Sequence, residues 1–356
     1  MKIRFATLLF LTPMIAGAAI SASPVHNPIL SSYTIGSHDD ATMHEIARRF
    51  EVEKRIPGGF EIIVPASQAS VLKQLAPEAH LEVADLGADL RAKVRASHGE
   101  WHTFDTVQSD LQQIVKTYPQ LASIENYGQS QQGYALNALK LVSSVNSGTA
   151  KPRIAITAAT HGNELITVEV LFGLVNQLLN GYGKDARLTK MVDTHELYFI
   201  PVVNPDGYTQ DERYCDGIDP NRDYPYPDDP NHESNPAIQA IIGFFTQHQI
   251  QGSIDYHSAA GMIMYPWAYT EDPISDSADE QMFDDLTTKM ASFNGYQHGE
   301  ISRTIYVAPG SSADYYYWKL HAKSLGIEIS QDGSPSLIPS MIQENTESTW
   351  TFIESF

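Results

Sequence analysis

One stretch limits the architecture more than any other: the run Arg153-Ile154-Ala155-Ile156-Thr157-Ala158-Ala159. Its apolar and β-branched residues read as a buried strand. It leads directly into His161-Gly162-Asn163-Glu164, behind which Leu165, Ile166, Val168, Val170, Leu171 and Leu174 recur at helical spacing. A strand that turns straight into a helix is a building unit of α/β sheets. The turn itself carries two metal-binding residue types, and the i, i+3 spacing sets His161 and Glu164 on one face of a helical turn. A third candidate, His257, ends a later strand-like run, Ser253-Ile254-Asp255-Tyr256-His257. Two imidazoles and one carboxylate, with a position left for water, form the ligand set of a catalytic zinc site. His-x-x-Glu alone recurs by chance in many helices, so its weight comes from what surrounds it.

A chain of 356 residues accommodates one large α/β domain and a smaller unit, and 42% hydrophobic content predicts a packed core. The formal net charge of −20 disfavours nucleic acid as a partner, because phosphate binding relies on clustered Lys and Arg. At the N-terminus, Lys2 and Arg4 precede an apolar stretch from Phe5 to Ile20, and small residues Ala18, Ala19, Ser21 and Ala22 suit a cleavage site. That pattern predicts a cleaved signal peptide over 1–23 and a secreted or periplasmic protein, two destinations a signal does not separate. No later segment has a transmembrane pattern, so no stable membrane association is expected after signal cleavage. Cys215 is the sole cysteine, which excludes an intramolecular disulfide.

Residues 24–95 read as a small α+β unit. Strands are predicted at 32–35, 60–64 and 80–83, helices at 41–50 and 69–75, with a turn at Pro57-Gly58-Gly59. A polar run over 91–100 separates this unit from a larger α/β domain over 96–356. There a helix is predicted at 106–117, with strands at 121–127 and 136–142. A buried strand over 195–203 ends at the turn Asn204-Pro205-Asp206-Gly207. A helix over 235–248, the strand ending at His257, a buried strand over 325–330 and a closing helix over 346–356 complete the pattern. In open α/β sheets ligands gather at the carboxyl ends of strands, where these motifs fall.

Taken together, the motifs resemble the zinc metallocarboxypeptidase family of pancreatic carboxypeptidase type, over roughly Trp101 to the C-terminus. The resemblance implies a mixed central sheet with helices on both faces. It implies one Zn2+ ion held by His161, Glu164 and His257. Glu328, in Gly326-Ile327-Glu328-Ile329-Ser330, matches the general acid/base that takes a proton from water on the metal and delivers it to the leaving amine. Asn221 and Arg222, in Asp219-Pro220-Asn221-Arg222, resemble the pair that grips a substrate's terminal carboxylate. Arg213 resembles the residue that stabilises the oxyanion. Tyr306 matches the mobile tyrosine that covers the bound chain end. Ala313 falls at the main determinant of terminal side-chain preference and argues for a neutral, apolar residue. Asp314 stands beside it, and a register slip of one would put a carboxylate there instead.

The resemblance thus implies a secreted zinc exopeptidase acting on peptides or proteins with a free C-terminus, and monomeric behaviour. Asn163 departs from the digestive branch, which has Arg before the ligating Glu; His-Gly-Asn-Glu resembles regulatory and bacterial branches. The unit at 24–95 sits where many members carry an inhibitory propeptide, and Arg91, Lys93 and Arg95 offer processing sites; it is equally compatible with a permanent accessory domain. Two other functions fit the same scaffold. One is hydrolysis of peptidoglycan stem peptides or amides of acylated amino acids. The other is a catalytically silent binding protein.

Overall fold

A computed structural model describes residues 30–84, 101–145 and 148–356 of the chain. The expected signal at 1–23, the basic run 91–95 and the boundary between the two units lie outside these residues.

The N-terminal unit is a four-stranded antiparallel sheet, built from β1 (Leu30–Gly36), β2 (Glu51–Ile56), β3 (Gly59–Pro65) and β4 (His80–Val83) in the order β2-β3-β1-β4. Helices α1 (Asp40–Arg49) and α2 (Ala69–Leu75) bury Ile46 and Leu72 against Tyr33, Ile35, Val52, Ile62 and Val64. Asp39 caps α1 by accepting from the Thr42 amide at 2.8 Å. Strand β2 is an addition to the predicted pattern. Its sequence, Glu-Val-Glu-Lys-Arg-Ile, is too charged to read as a strand, yet as an edge strand it needs only one paired side. The hairpin through Pro57 and Gly58 supplies its partner, β3.

The second unit is an eight-stranded mixed sheet with the order β11-β10-β12-β9-β7-β8-β6-β5. Its helices and strands follow in chain order. Helix α3 (Phe104–Thr117) precedes the hairpin β5 (Ala122–Gln129) and β6 (Ala135–Leu141). Strand β7 (Arg153–Thr157) leads to α4 (Leu165–Gly181), α5 (Ala186–Thr194) and β8 (Glu196–Ile200). Helix α6 (Pro236–His248), β9 (Gly252–Ser258), β10 (Met262–Tyr265) and α7 (Ser277–Ala291) come next. The chain ends with β11 (Gln297–Glu300), α8 (Ser312–Leu320), β12 (Lys323–Ile329) and α9 (Ile338–Ile353).

Strands β8, β7, β9 and β12 are parallel and central, and near-continuous burial explains the apolar sequences of β7 and β8, whereas the equally buried β9 carries Ser253, Asp255 and His257. Alternation divides their side chains between two cores. Ile154, Ile156, Leu197 and Phe199 face α3, α4, α5, α7 and α9, whereas Ala155, Tyr198 and Ile200 face α6 and α8. The closing helix starts eight residues before its predicted beginning, at Ile338, because Pro339 sits in its first turn, where a missing amide costs nothing. Among the described residues no single helix is long and apolar enough to cross a membrane.

Candidate active site

Strand β7 ends at Thr157, and the chain turns sharply before α4 begins. Ala159 takes a left-handed conformation (φ 46°) and its amide donates to Thr167 Oγ1 at 3.0 Å. Gly162 is required by close approach: a Cβ there would lie 2.3 Å from the Tyr208 backbone nitrogen and 2.5 Å from the Glu212 carbonyl oxygen. The turn is therefore wedged against the 207–213 loop, and the Gly162 amide points at the Arg213 carbonyl (3.4 Å). His161 and Glu164 lie in this turn and not within the helix, since Glu164 is the residue that precedes α4 and has non-helical dihedrals. The sequence reading of a shared helical face is thus replaced by a tight turn with the same outcome, because His161 Nδ1 still meets Glu164 Oε1 at 2.7 Å.

His257 reaches the same point from the end of β9. Its Nδ1 lies 3.0 Å from His161 Nδ1 and 3.1 Å from Glu164 Oε2. Donor atoms of the three buried side chains all fall within 4.8 Å of one another, and among the described residues no other such group exists. Two imidazole nitrogens facing each other across a buried carboxylate are placed to converge on one cation. The outward nitrogens are already engaged: His161 Nε2 meets Asp219 Oδ1 at 3.1 Å, and His257 Nε2 meets Asp255 Oδ2 at 3.2 Å. The Nδ1 atoms are the ones that face one another and Glu164, and the set of two imidazoles and one carboxylate suits zinc. Burial and Arg213 work against a charge on His161, but the carboxylates of Glu164 and Asp219 prevail and hold it above the usual histidine range.

Glu328 stands beside this cluster because β12 pairs in parallel register with β9, Glu328 opposite His257. Its strand neighbours Ile327 and Ile329 are buried on the other face, while Glu328 itself is only partly covered. Within the buried strand expected at 325–330, Glu328 is thus a partly covered position beside the donor cluster. Desolvation pushes its carboxyl up to about 7; His257 opposes that and the Glu164 charge adds to it. A carboxylate with its pKa near neutrality is poised for proton transfer.

Across from Glu328, a short 3-10 turn (Pro220–Arg222) capped by Asp219 presents Asn221 and Arg222. Asn221 Oδ1 accepts from the Ser312 amide at 2.9 Å, and Asn221 Nδ2 lies 3.3 Å from His257 Nε2. Arg222 Nη2 donates to the Tyr306 hydroxyl at 2.8 Å, with its guanidinium 5.6 Å from the Tyr306 ring centre. Arg213 lies against Asp219 Oδ2 (3.2 Å) and Glu164 Oε1 (3.5 Å). Ala313 sits in a small apolar cluster with Met262, Met264, Ala268, Ile301 and Ala308, against which Ile305 and Tyr306 pack. Asp314 is fully buried, and its carboxylate accepts the backbone amides of Ala268 and Tyr269, both at 2.8 Å. All nine sequence candidates are therefore linked, directly or through one another, to the His161–Glu164–His257 cluster.

Sequence reasoning gave no role to Asp219 or Asp255, the carboxylates behind the two imidazoles. A signal for Asp255 existed: it stands two residues before His257 in a strand, hence on the same face.

A family model described as zinc carboxypeptidase matches residues 107–352. Mouse (Mus musculus) carboxypeptidase A1 is 27% identical over 290 residues, covering 71% of this chain and 68% of its own. A zinc carboxypeptidase of Saccharothrix mutabilis subsp. capreolus is 26% identical over 260 residues, covering 62% of this chain and 59% of its own. The crystal structure of carboxypeptidase A from Helicoverpa armigera matches with a TM-score of 0.73 at 17% identity, over 92% of this chain and 97% of that one. The structure of thrombin activatable fibrinolysis inhibitor gives 0.70 at 19% identity, over 92% and 98%. These structural likenesses concern the fold. A share of 92% exceeds what residues 107–352 can supply, so the likeness extends into the N-terminal unit.

Proposed function

The chain belongs to the zinc carboxypeptidase family, and from that premise we propose that it is a secreted or periplasmic exopeptidase releasing C-terminal amino acids from peptides. One observation carries this reading: the donor cluster and the Asn221–Arg222 turn meet at a single point, Asn221 Nδ2 being 3.3 Å from His257 Nε2. A clamp for a terminal carboxylate next to the hydrolytic centre confines cleavage to the last bond.

His161, Glu164 and His257 would hold one zinc ion, which when bound supplies a Lewis acid that acidifies water and polarises a carbonyl. Glu328 takes the proton of the attacking water and returns it to the departing amine. Arg213 sits within reach of the same centre and stabilises negative charge on the cleaved carbonyl's oxygen. Arg222 and Asn221 fix the terminal carboxylate, and Tyr306, already on Arg222, covers it. The apolar cluster around Ala313 and Met264 receives an uncharged terminal side chain. Asp314 is turned away into backbone amides, which disfavours a basic one. Export is supported by the sequence pattern of Lys2, Arg4 and the apolar stretch that follows. Tyr306 also packs against the core cluster of the N-terminal unit, and a unit that pins this residue suits an inhibitory propeptide.

The test is release of the C-terminal residue from a panel of blocked dipeptides, before and after limited proteolysis within 85–100. Hydrolysis of the free acid but not its amide, abolished by chelator and restored by one equivalent of zinc, is the expected result. Glu328→Gln should lower kcat by roughly 10²–10⁴ while still binding zinc. Activity of the unaltered protein should rise with pH along an acid limb at or below about 7, because Glu328 acts as a base only when ionised. Zinc binding without release from any substrate would overturn the proposal.

A further inference from the structure

We propose that Gly326 opens the floor of the pocket for the terminal side chain, so that the enzyme favours a C-terminal aromatic residue; the idea rests on the exopeptidase reading of this site. Gly326 lies in the middle of β12, a strand paired on both sides. Glycine weakens a strand in such a place, and three ordinary reasons for it fail here. Its backbone does not take a positive φ. Its register with β9 runs unbroken from Lys323 to Ile329, so it marks no bulge. No other part of the chain presses on it, because a Cβ at Gly326 would meet nothing within 4 Å. The remaining reason is the close approach of a ligand.

Strand register fixes where that space lies. Met264 on β10 and Asp255 on β9 stand opposite Gly326 and share its face. Along β12 the next residues on this face are Ser324 and Glu328, each about 6.6 Å away. Ser324 is buried, and its Oγ donates to the Ala313 carbonyl at 2.6 Å. Gly326 and Glu328 are both partly exposed. The space therefore opens toward Glu328 and closes at Ser324 and the first turn of α8.

Its chemistry suits a flat apolar ring. Bare backbone forms the floor, and the cluster of Met262, Met264, Ala268, Ile301 and Ala313 supplies apolar walls. Thioethers make favourable contacts with aromatic rings. A ring has only two side-chain torsions, so fixing it costs little entropy. Leucine or alanine would leave part of the space above Gly326 empty and lose those contacts. Neither nearby carboxylate is turned to a basic side chain. Asp255 accepts from the hydroxyls of Thr157, Thr160 and Ser312 at 2.7, 2.8 and 2.9 Å, and Asp314 accepts two backbone amides.

The test compares kcat/KM on blocked dipeptides ending in Trp, Phe, Leu and Ala, for the wild type, Gly326→Ala and Gly326→Thr. In the wild type Trp and Phe should exceed Leu, and Leu should exceed Ala, by about 10-fold at each step. Gly326→Thr should lower the Trp-to-Leu ratio by about 10–200-fold, and Gly326→Ala by a smaller factor. A Cβ in open space adds strand propensity without a clash, so Gly326→Ala should not melt below the wild type. Calorimetry on zinc-loaded Glu328→Gln, which binds without cleaving, should rank the four dipeptides in the same order by affinity. Leu or Ala at or above the aromatic residues, or a Trp-to-Leu ratio unchanged in Gly326→Thr, overturns this inference and leaves the proposed function standing. Release of no terminal residue at all overturns both.

Discussion

Gly310 offers the sharpest test of how the proposed carboxylate clamp is built. It sits between Tyr306 and Ala313 with φ +81°, a conformation in which an L-residue costs about 1–2 kcal/mol. A Cβ at this position would lie 2.5 Å from the Arg222 carbonyl oxygen and 2.7 Å from its carbonyl carbon. Ordinary contact begins near 3.4 Å, so the Arg222 backbone would have to retreat by about 0.9 Å (3.4 − 2.5). No rotamer change relieves a clash with backbone, and the Tyr224 amide ties the two segments together by donating to the Gly310 carbonyl at 3.1 Å. Overpacking of this kind adds about 1–3 kcal/mol, for a total of about 2–5 kcal/mol in Gly310→Ala. At roughly 2 °C per kcal/mol for a large domain, the melting temperature should fall by about 4–10 °C. A shift near 1 Å in a residue that orients substrate costs on the order of 10² in rate. kcat/KM on a free-carboxylate dipeptide should drop by that order, while zinc affinity stays within a few-fold because the ligands lie on other elements. Steady-state kinetics, thermal melting and zinc competition on the same sample decide it. Wild-type kcat/KM with an unchanged melting temperature would refute the assignment of Gly310 as the spacer beneath Arg222.

Two further outcomes follow from other parts of the molecule. Ala313→Leu adds bulk to the cluster with Met264 and Ile301 and should cut hydrolysis of peptides ending in Phe or Leu by at least about 10-fold while sparing terminal Ala; an unchanged ranking across the dipeptide panel would remove Ala313 from the specificity site. His102 joins Glu169 at 2.9 Å and Asp110 at 2.9 Å, and the hydrogen bond it donates to Glu169, against desolvation, raises its pKa above 6.5. Below 6.5 both folded and unfolded states are protonated and the ion pair contributes fully. Stability should therefore decline as pH rises from about 6.5 through the raised folded value, and His102→Asn should flatten that slope in melting curves. An equally steep slope in the variant would assign the effect elsewhere.

Much of this was legible because burial writes a simple pattern. Strands β7, β8, β9 and β12 are all largely covered; β7 and β8 read as apolar runs, whereas β9 and β12 interrupt theirs with polar residues. Their carboxyl ends carry His161, His257 and Glu328, and residue type with order along the chain was enough to nominate them. Strand β2 was illegible since an edge position tolerates Glu, Lys and Arg. Short strands β10 and β11, with four residues each, leave too brief a pattern to read.

The sequence by itself determined the chemistry: which groups can ligate, accept a proton or grip a carboxylate, and that the strands bearing them are buried. Tertiary structure decided which atoms of those groups face one another. The parallel register of β12 against β9 sets Glu328 beside His257, and the Gly162 wedge carries His161 and Glu164 into a turn ahead of their helix. It turned Asp314 into backbone amides and left Ala313 on the apolar cluster, a choice that one step of register would have reversed. It also brought Asp219 and Asp255 behind the imidazoles. The pairing of Asp219 with His161, like that of Glu328 with His257, depends on distances between residues far apart in the chain, and local spacing carries no record of it.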